Sequence, residues 1–242
     1  MIFLFTDFRY DGPYVGQMKA VLSRLAPSVP IIDLMHDAPS CDPKRAAYLL
    51  AALAQESQLG DIWLCVVDPG VGGSRRPVVL DCGGVCFVGP DNGLFELISR
   101  RIEGASLQEI TWRPEIMSAT FHGRDLFAPV TAWMATGIHV ETASVSPSER
   151  RNGADWPDNL PEVIYIDGYG NLVTGIGGSL LSDNQSILVG GRILKYARKF
   201  LDVPKGGVFW HRNSMGLIEI SANCGRADEL LDLQIGFLIE VL

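Results

Sequence analysis

Three short apolar runs, Met1–Phe5, Val29–Leu34 and Ile62–Val67, are separated by two segments with apolar residues at helical spacing. Strand and helix alternating over so short a span predict a parallel sheet wound with helices, because parallel neighbours need a crossover between them. The first helical segment follows Pro13, whose missing N–H costs nothing in a first turn, and carries Val15, Met18, Val21, Leu22 and Leu25. The second opens on Asp42-Pro43, an N-cap residue followed by proline, and runs to about Gln55. Further on, the pattern predicts a hairpin of Val78–Cys82 and Val85–Val88 and a helix capped by Asn92 that ends near Arg101. A strand over Leu107–Trp112 and a helix from Leu126 to about Thr136 complete this half.

The character changes between Ser144 and Pro161, where the chain is polar and turn-rich, and a domain boundary is expected near residues 145–160. Beyond it lie short strand-like pieces, Glu162–Ile166, Asn171–Gly175, Ile187–Val189, Val208–Trp210, Leu217–Ser221 and Ile235–Val241, with only Arg226–Leu231 helical. The expected fold is therefore α/β. Residues 1–150 form a doubly wound, mostly parallel sheet with helices on both faces, and residues 160–242 a smaller antiparallel β-barrel-like domain.

Composition removes several functions. A net charge of −8 over 242 residues argues against binding a nucleic-acid backbone, which needs a basic face. No apolar run approaches the ~20 residues that cross a bilayer. The apolar start of the chain is too short for a signal segment and meets Asp7 at once. The five cysteines are odd in number and form no CxxC pair, which suits buried thiols in a reducing cytoplasm.

The chemistry concentrates where the third apolar run ends, in Val67-Asp68-Pro69-Gly70-Val71-Gly72-Gly73-Ser74-Arg75. Asp68 sits at the carboxyl end of a buried strand, the edge of an α/β sheet where ligands bind. The glycines let the backbone approach a bound molecule, and Arg75 returns a cation to the carboxylate. By itself this stretch reads equally well as a glycine-rich surface turn with an incidental ion pair. Other polar clusters occupy comparable loops: Asp7 with Asp11, Asp91-Asn92, and His122 with Arg124 and Asp125. His122 is the best placed of the four histidines; His36 lies in a similar loop, and His139 and His211 lie in poorer contexts. No HxxxH or HxH pair exists and Arg75 repels a cation, so a metal site is not expected. P-loop, GxGxxG and GxSxG signatures are absent as well. An Asp/Arg/His set that activates water remains.

Seven motifs in order carry a family resemblance. They are Thr6-Asp7-Phe8, Pro13 to Lys19, Val67 to Gly72, Gly89 to Leu94, Thr120 to Asp125, Ile166 to Asn171, and Asn213-Ser214 with Glu219-Ile220 and Asn223. Together they resemble the S-adenosylmethionine hydrolase (hydroxide adenosyltransferase) family, relatives of fluorinase and chlorinase, in register along the whole chain. The resemblance implies a homotrimer with sites where one subunit's N-terminal domain meets its neighbour's C-terminal domain. It implies the reaction of S-adenosylmethionine with water to give adenosine and L-methionine, with no cofactor, nucleic acid or membrane involved. Asp68, Arg75 and His122 fall on the set that handles water. The halogenating relatives carry a tyrosine at Asp68 and a Tyr-Ser pair at His122-Gly123, which puts this sequence on the water side.

By the same correspondence Asp7, with Asp11 nearby, meets the ribose hydroxyls, and Asn171, Ala222 and Asn223 meet adenine. Asp167, Ser214 and Glu219 face the methionine part, while Phe121 and Phe200 pack on the nucleoside. Two regions depart from the family pattern. Arg9 replaces a glycine, with Asp11-Gly12 standing for an aspartate one position later, and Met215 replaces an aromatic or, in halogenases, an arginine. The sulfonium is already a good leaving group, so the protein needs to supply an aligned water in a dry pocket. The rival readings are a non-catalytic adenosine or S-adenosylmethionine sensor and a halide-dependent adenosyltransferase. A nucleosidase or phosphoesterase has no motif support.

Overall fold

In the computed structural model, which describes residues 1–146, 149 and 152–242, every side chain of the strand leading to Asp68 is buried. This strand, β3 (Ile62–Val66), lies between β1 (Ile2–Thr6) and β5 (Cys86–Pro90) and is parallel to both. Strand β2 (Ile31–Met35) adds to β1 in parallel, so four strands send their carboxyl ends to one edge. Three antiparallel strands extend the sheet: β4 (Pro77–Asp81), β6 (Ser106–Ile110) and β7 (Thr142–Ser144), in the order β2-β1-β3-β5-β4-β6-β7. Burying each large apolar side chain of β3 contributes roughly 1.5–3 kcal/mol, which holds the strand end in place. Gly89 makes the β3–β5 contact possible, since a Cβ there would lie 2.2 Å from the Cys65 carbonyl oxygen.

Helix α1 (Tyr14–Leu25) buries Val15, Met18 and Leu22. Helix α2 (Pro43–Leu53) starts where the sequence predicts, with the Asp42 carboxylate accepting from the Arg45 N–H and Pro43 in the first turn. Helix α3 is shorter than expected, Glu96–Arg101, and Asn92 does not cap it. The Asn92 amide instead donates to the Val67 carbonyl at 2.8 Å and its oxygen accepts from Leu94 N–H, which ties the end of β5 to the residue before Asp68. The last helix begins as a π-helical turn, Gly123–Phe127, and continues as α4 (Ala128–Ala135).

The polar segment around residues 145–160 includes 147, 148, 150 and 151, which lie outside the described residues. The chain divides into two compact units, Met1–Asp155 and Trp156–Leu242. The second unit holds a four-stranded antiparallel sheet ordered β12-β13-β9-β8. Its strands are β8 (Leu160–Ile166), β9 (Leu172–Gly177), β12 (Val208–Arg212) and β13 (Leu217–Ala222). A three-stranded sheet of β10 (Ser186–Val189), β11 (Arg192–Lys195) and β14 (Glu240–Val241) shares the same apolar core, with Trp210 at its centre. The final strand is much shorter than the expected Ile235–Val241: the residues before Glu240 bond instead to β8, Gly236 and Phe237 to Val163 and Ile239 to Pro161, with an isolated bridge of Glu162 to Leu238. Helix α5 (Ala227–Leu231) follows β13.

Among the described residues no helix is long and apolar enough to cross a membrane. The cysteines differ from expectation: Cys65 and Cys82 are buried, but Cys41 and Cys224 are exposed. Both exposed cysteines sit in loops at φ near 55°, a left-handed conformation that keeps them out of the packed elements.

Candidate active site

Asp68 leaves the end of β3 with its side chain 3% exposed, and Arg75 returns to it across the glycine-rich turn. The Arg75 Nε donates to both carboxylate oxygens at 3.2 and 3.0 Å, and Nη2 to Oδ2 at 2.5 Å. The same Nη2 lies 2.8 Å from Nδ1 of His122. A guanidinium has only donors, so Nδ1 of His122 must accept and its ring proton must sit on Nε2. Burial first, and the Arg75 charge second, hold the His122 pKa below its ordinary value, so the imidazole stays neutral. Arg75 is further seated over the face of Phe127 in the π-helical turn, 5.4 Å from the ring centre. Gly72 allows the closure: at φ 78°, a Cβ there would stand 2.4 Å from the Ala119 carbonyl oxygen in the His122 loop.

Asp7 follows β1 on the same sheet edge and accepts from the Cys41 N–H at 2.9 Å. Burial, with the Asp68 charge adding to it, holds the Asp7 pKa above the usual carboxylate range even though that N–H opposes the shift. The two carboxylates are therefore close enough to repel. Phe121 packs edge-on against Phe8 and Tyr14. Asp11 is exposed in the loop after Tyr10. Arg124 and Asp125 pair with each other, Asp125 also accepting from Ser118 N–H, and the Arg124 guanidinium lies over the Phe121 ring, 5.2 Å from its centre. Asp91 is paired with Arg76.

The second unit carries a cavity of about 640 Å³. Asp167, Asn171, Phe200, Ser214, Glu219 and Ala222 all line it, so six side chains spread over 56 positions of sequence meet in one place. Asp167 accepts from the Tyr169 and Asn171 N–H groups and from the Asn171 amide, leaving the Asn171 oxygen for an incoming donor. Glu219 accepts from Asn213 Nδ2 at 2.9 Å and from Ser221 at 3.0 Å, and lies 3.2 Å from His211 Nε2. Burial opposes its charge, yet the bonds from His211, Asn213 and Ser221 outweigh that and hold its pKa below the ordinary value. Asn223 is placed differently. Its amide donates to the Val203 carbonyl at 2.7 Å and pins the neighbouring loop, while Cys224 and Gly225 reach the cavity wall.

The second unit also contains what sequence reading missed. His211 lines the cavity and stands directly across from Glu219 in the β12–β13 register. The signal was the turn between these strands: Asn213 Oδ1 accepts from the N–H groups of Met215 and Leu217, and Gly216 adopts φ 75°. Reading Asn213–Gly216 as a hairpin turn pairs 211 with 219 at once. Arg212, the cation on the cavity wall, is committed to the Gly178 and Leu181 carbonyls and to Asp183. That leaves an acidic cavity. Among the described residues no cluster of three or more histidine, cysteine or acidic residues is arranged to hold a metal ion.

Family models match both units, the SAM hydroxide adenosyltransferase N-terminal domain over residues 2–144 and the C-terminal domain over 161–240. The chain belongs to the SAM hydroxide adenosyltransferase family. It is 35% identical to an (R)-S-adenosyl-L-methionine hydrolase from Thermus thermophilus, covering 100% of this chain and 99% of the relative. It is 36% identical to a protein of the same name from Salinispora arenicola, covering 98% and 95%. A solved structure from Thermotoga maritima superposes with a TM-score of 0.89 at 30% identity, over 100% of this chain and 99% of that one.

Of the two departures, Arg9 has a local explanation and Met215 has none. Arg9 sits at φ 57° with an exposed side chain, so the usual glycine is a requirement of backbone conformation that arginine meets at about 1 kcal/mol of strain. Met215 occupies the turn whose geometry Asn213 sets, and its backbone N–H is already bonded there.

Proposed function

We propose that this chain hydrolyses S-adenosyl-L-methionine to adenosine and L-methionine, with Asp68, Arg75 and His122 handling the water. The water oxygen forms a bond to the 5′ carbon as the carbon–sulfur bond breaks. The electron pair neutralises the sulfonium, and a proton leaves to solvent. The observation that carries the reading is the continuous chain of bonds from the Asp68 carboxylate through Arg75 to Nδ1 of His122. Arg75 occupies the one ring nitrogen that can accept, so neutral His122 acts as a donor through Nε2. Asp68 keeps lone pairs beyond those given to Arg75 and serves as the acceptor that orients the water. Holding water in line with the breaking bond contributes up to roughly 7–11 kcal/mol of barrier lowering in well-aligned systems.

Asp7 supports a ribose contact, because a desolvated carboxylate gains from accepting hydrogen bonds from two hydroxyls. Asp167 and Glu219 supply negative charge to a cavity suited to the ammonium and sulfonium groups. Asn171, Phe200 and Ala222 meet the adenine end, and Ser214 the methionine carboxylate. The relatives are named for the (R) epimer at sulfur. We take that preference to extend to this chain, acting without a cofactor as a homotrimer whose sites are completed by a neighbour.

Incubating the purified protein with each epimer, followed by chromatography, tests the reaction. Adenosine and methionine are expected, with ¹⁸O from labelled water on the 5′-hydroxyl. Heat of binding in calorimetry with no adenosine would leave a sensor instead. Turnover that depends on chloride would leave a halide adenosyltransferase, which a carboxylate at the nucleophile position disfavours by repulsion. Sedimentation velocity tests the trimer.

A further inference from the structure

Arg75 and His122 also face a second cavity, of about 330 Å³, within the first unit. Its wall includes Gly72, Arg113, Met117 and Ala119, and neither Asp7, Asp68 nor Phe121 takes part in it. Arg75 and His122 are therefore open to this cavity on a side that includes neither of the two carboxylates nor Phe121. Each member of the set is nearly closed to solvent: side-chain exposure is 3% for Asp68 and 10% for Arg75, and His122 is 7% exposed. In-line displacement requires the nucleophile opposite the departing sulfur, so a nucleoside held at Asp7 and Phe121 leaves this separate cavity as a route for incoming water. A liquid water molecule takes roughly 30 Å³, so the second cavity has room for several. Its polar side chains are donors, two guanidinium groups and the His122 ring; beyond the bonds of Arg75 to Asp68 and of Arg113 to the Ile110 and Trp112 carbonyls, they have N–H groups to give to water oxygen.

We propose that this cavity is the port and reservoir for the attacking water, and that Met117 and Ala119 set the size of nucleophile admitted. This rests on the hydrolase reading above and adds a route to it. Met117 is half-buried and flexible and packs with one side against the core of the first unit, whereas Ala119 is exposed on the loop that Gly72 touches.

Two variants test the port. Ala119→Trp fills it. Turnover is expected to fall about tenfold or more, while the calorimetric Kd for S-adenosylmethionine and the Tm stay at parental values. Met117→Ala opens it. In methanol–water mixtures this variant is expected to form 5′-O-methyladenosine alongside adenosine, where the parent forms adenosine almost alone. In that product the methanol oxygen bonds to the 5′ carbon, the carbon–sulfur bond breaks with its electron pair going to sulfur, and the hydroxyl proton leaves to solvent. Parent-rate turnover in Ala119→Trp overturns the port. A methyl-ether yield in Met117→Ala no higher than the parent's overturns Met117 as the size-setting residue. Absence of adenosine from the parent itself overturns the hydrolase reading instead.

Discussion

The two units build their polar sites in opposite ways. At the sheet edge of the first unit, a carboxylate, a guanidinium and an imidazole are bonded to one another and almost sealed from solvent. In the second, two carboxylates, Asp167 and Glu219, line an open cavity and are each held by hydrogen bonds from their neighbours. The first arrangement suits aligning a small molecule for reaction; the second suits holding a larger cation. A sealed set loses function when any member changes charge. A lined cavity loses affinity by increments.

The largest expected break in this contrast is Asp68→Asn. It removes the charge that positions Arg75, and kcat should fall on the order of 10²–10³-fold with KM within a few-fold. A parent-like kcat in steady-state assays would remove Asp68 from the chemistry. Next comes Glu219→Gln, which keeps the shape but discards the anion. KM should rise about tenfold, equivalent to roughly 1.4 kcal/mol, with kcat nearly unchanged. A loss confined to kcat would move Glu219 from holding substrate to reacting with it.

Asp7→Asn separates binding from stability at the border of the two designs. KM is expected to rise about fivefold, near 1 kcal/mol, through a weakened ribose contact. The parent carboxyl binds its proton more tightly folded than unfolded, because burial and then Asp68 raise its pKa. Its charge therefore opposes folding above that raised pKa, and the penalty disappears below the unfolded value of 3.8. The variant should melt higher than the parent at neutral pH and equally at the acid limit; a lower Tm at neutral pH would refute this. The parent's KM should also rise with acidification at a higher pH than an ordinary carboxylate titrates, and the variant's should not.

The smallest effect is expected at Asn223→Ala. Loss of the bond to Val203 should cost about 1 kcal/mol of stability in denaturant unfolding while Kd changes little. A tenfold loss of affinity with unchanged stability would return Asn223 to the adenine contacts.

Much of this was legible from local pattern. The apolar run before Asp68 is a buried strand, Asp42-Pro43 starts a helix, and the Gly83-Gly84 turn joins antiparallel strands. Each follows from interactions between residues close in sequence. Asn92 misled because its side chain satisfies a carbonyl 25 residues away, where a cap would serve its own helix. His211 was passed over because its partner Glu219 comes within reach only when the hairpin register forms.

The sequence alone determined which chemical groups are present, their order, and that several follow parallel strands. It also carried the motifs that mark the family. Only the tertiary structure decided that Arg75 spends one nitrogen on both Asp68 and His122, and so which ring nitrogen of His122 carries the proton. It alone placed six separated residues around one cavity and opened a second cavity beside Arg75 and His122. Local propensity reaches only a few residues along the chain. Donor–acceptor pairing and enclosed space depend on side chains that meet after distant segments have packed.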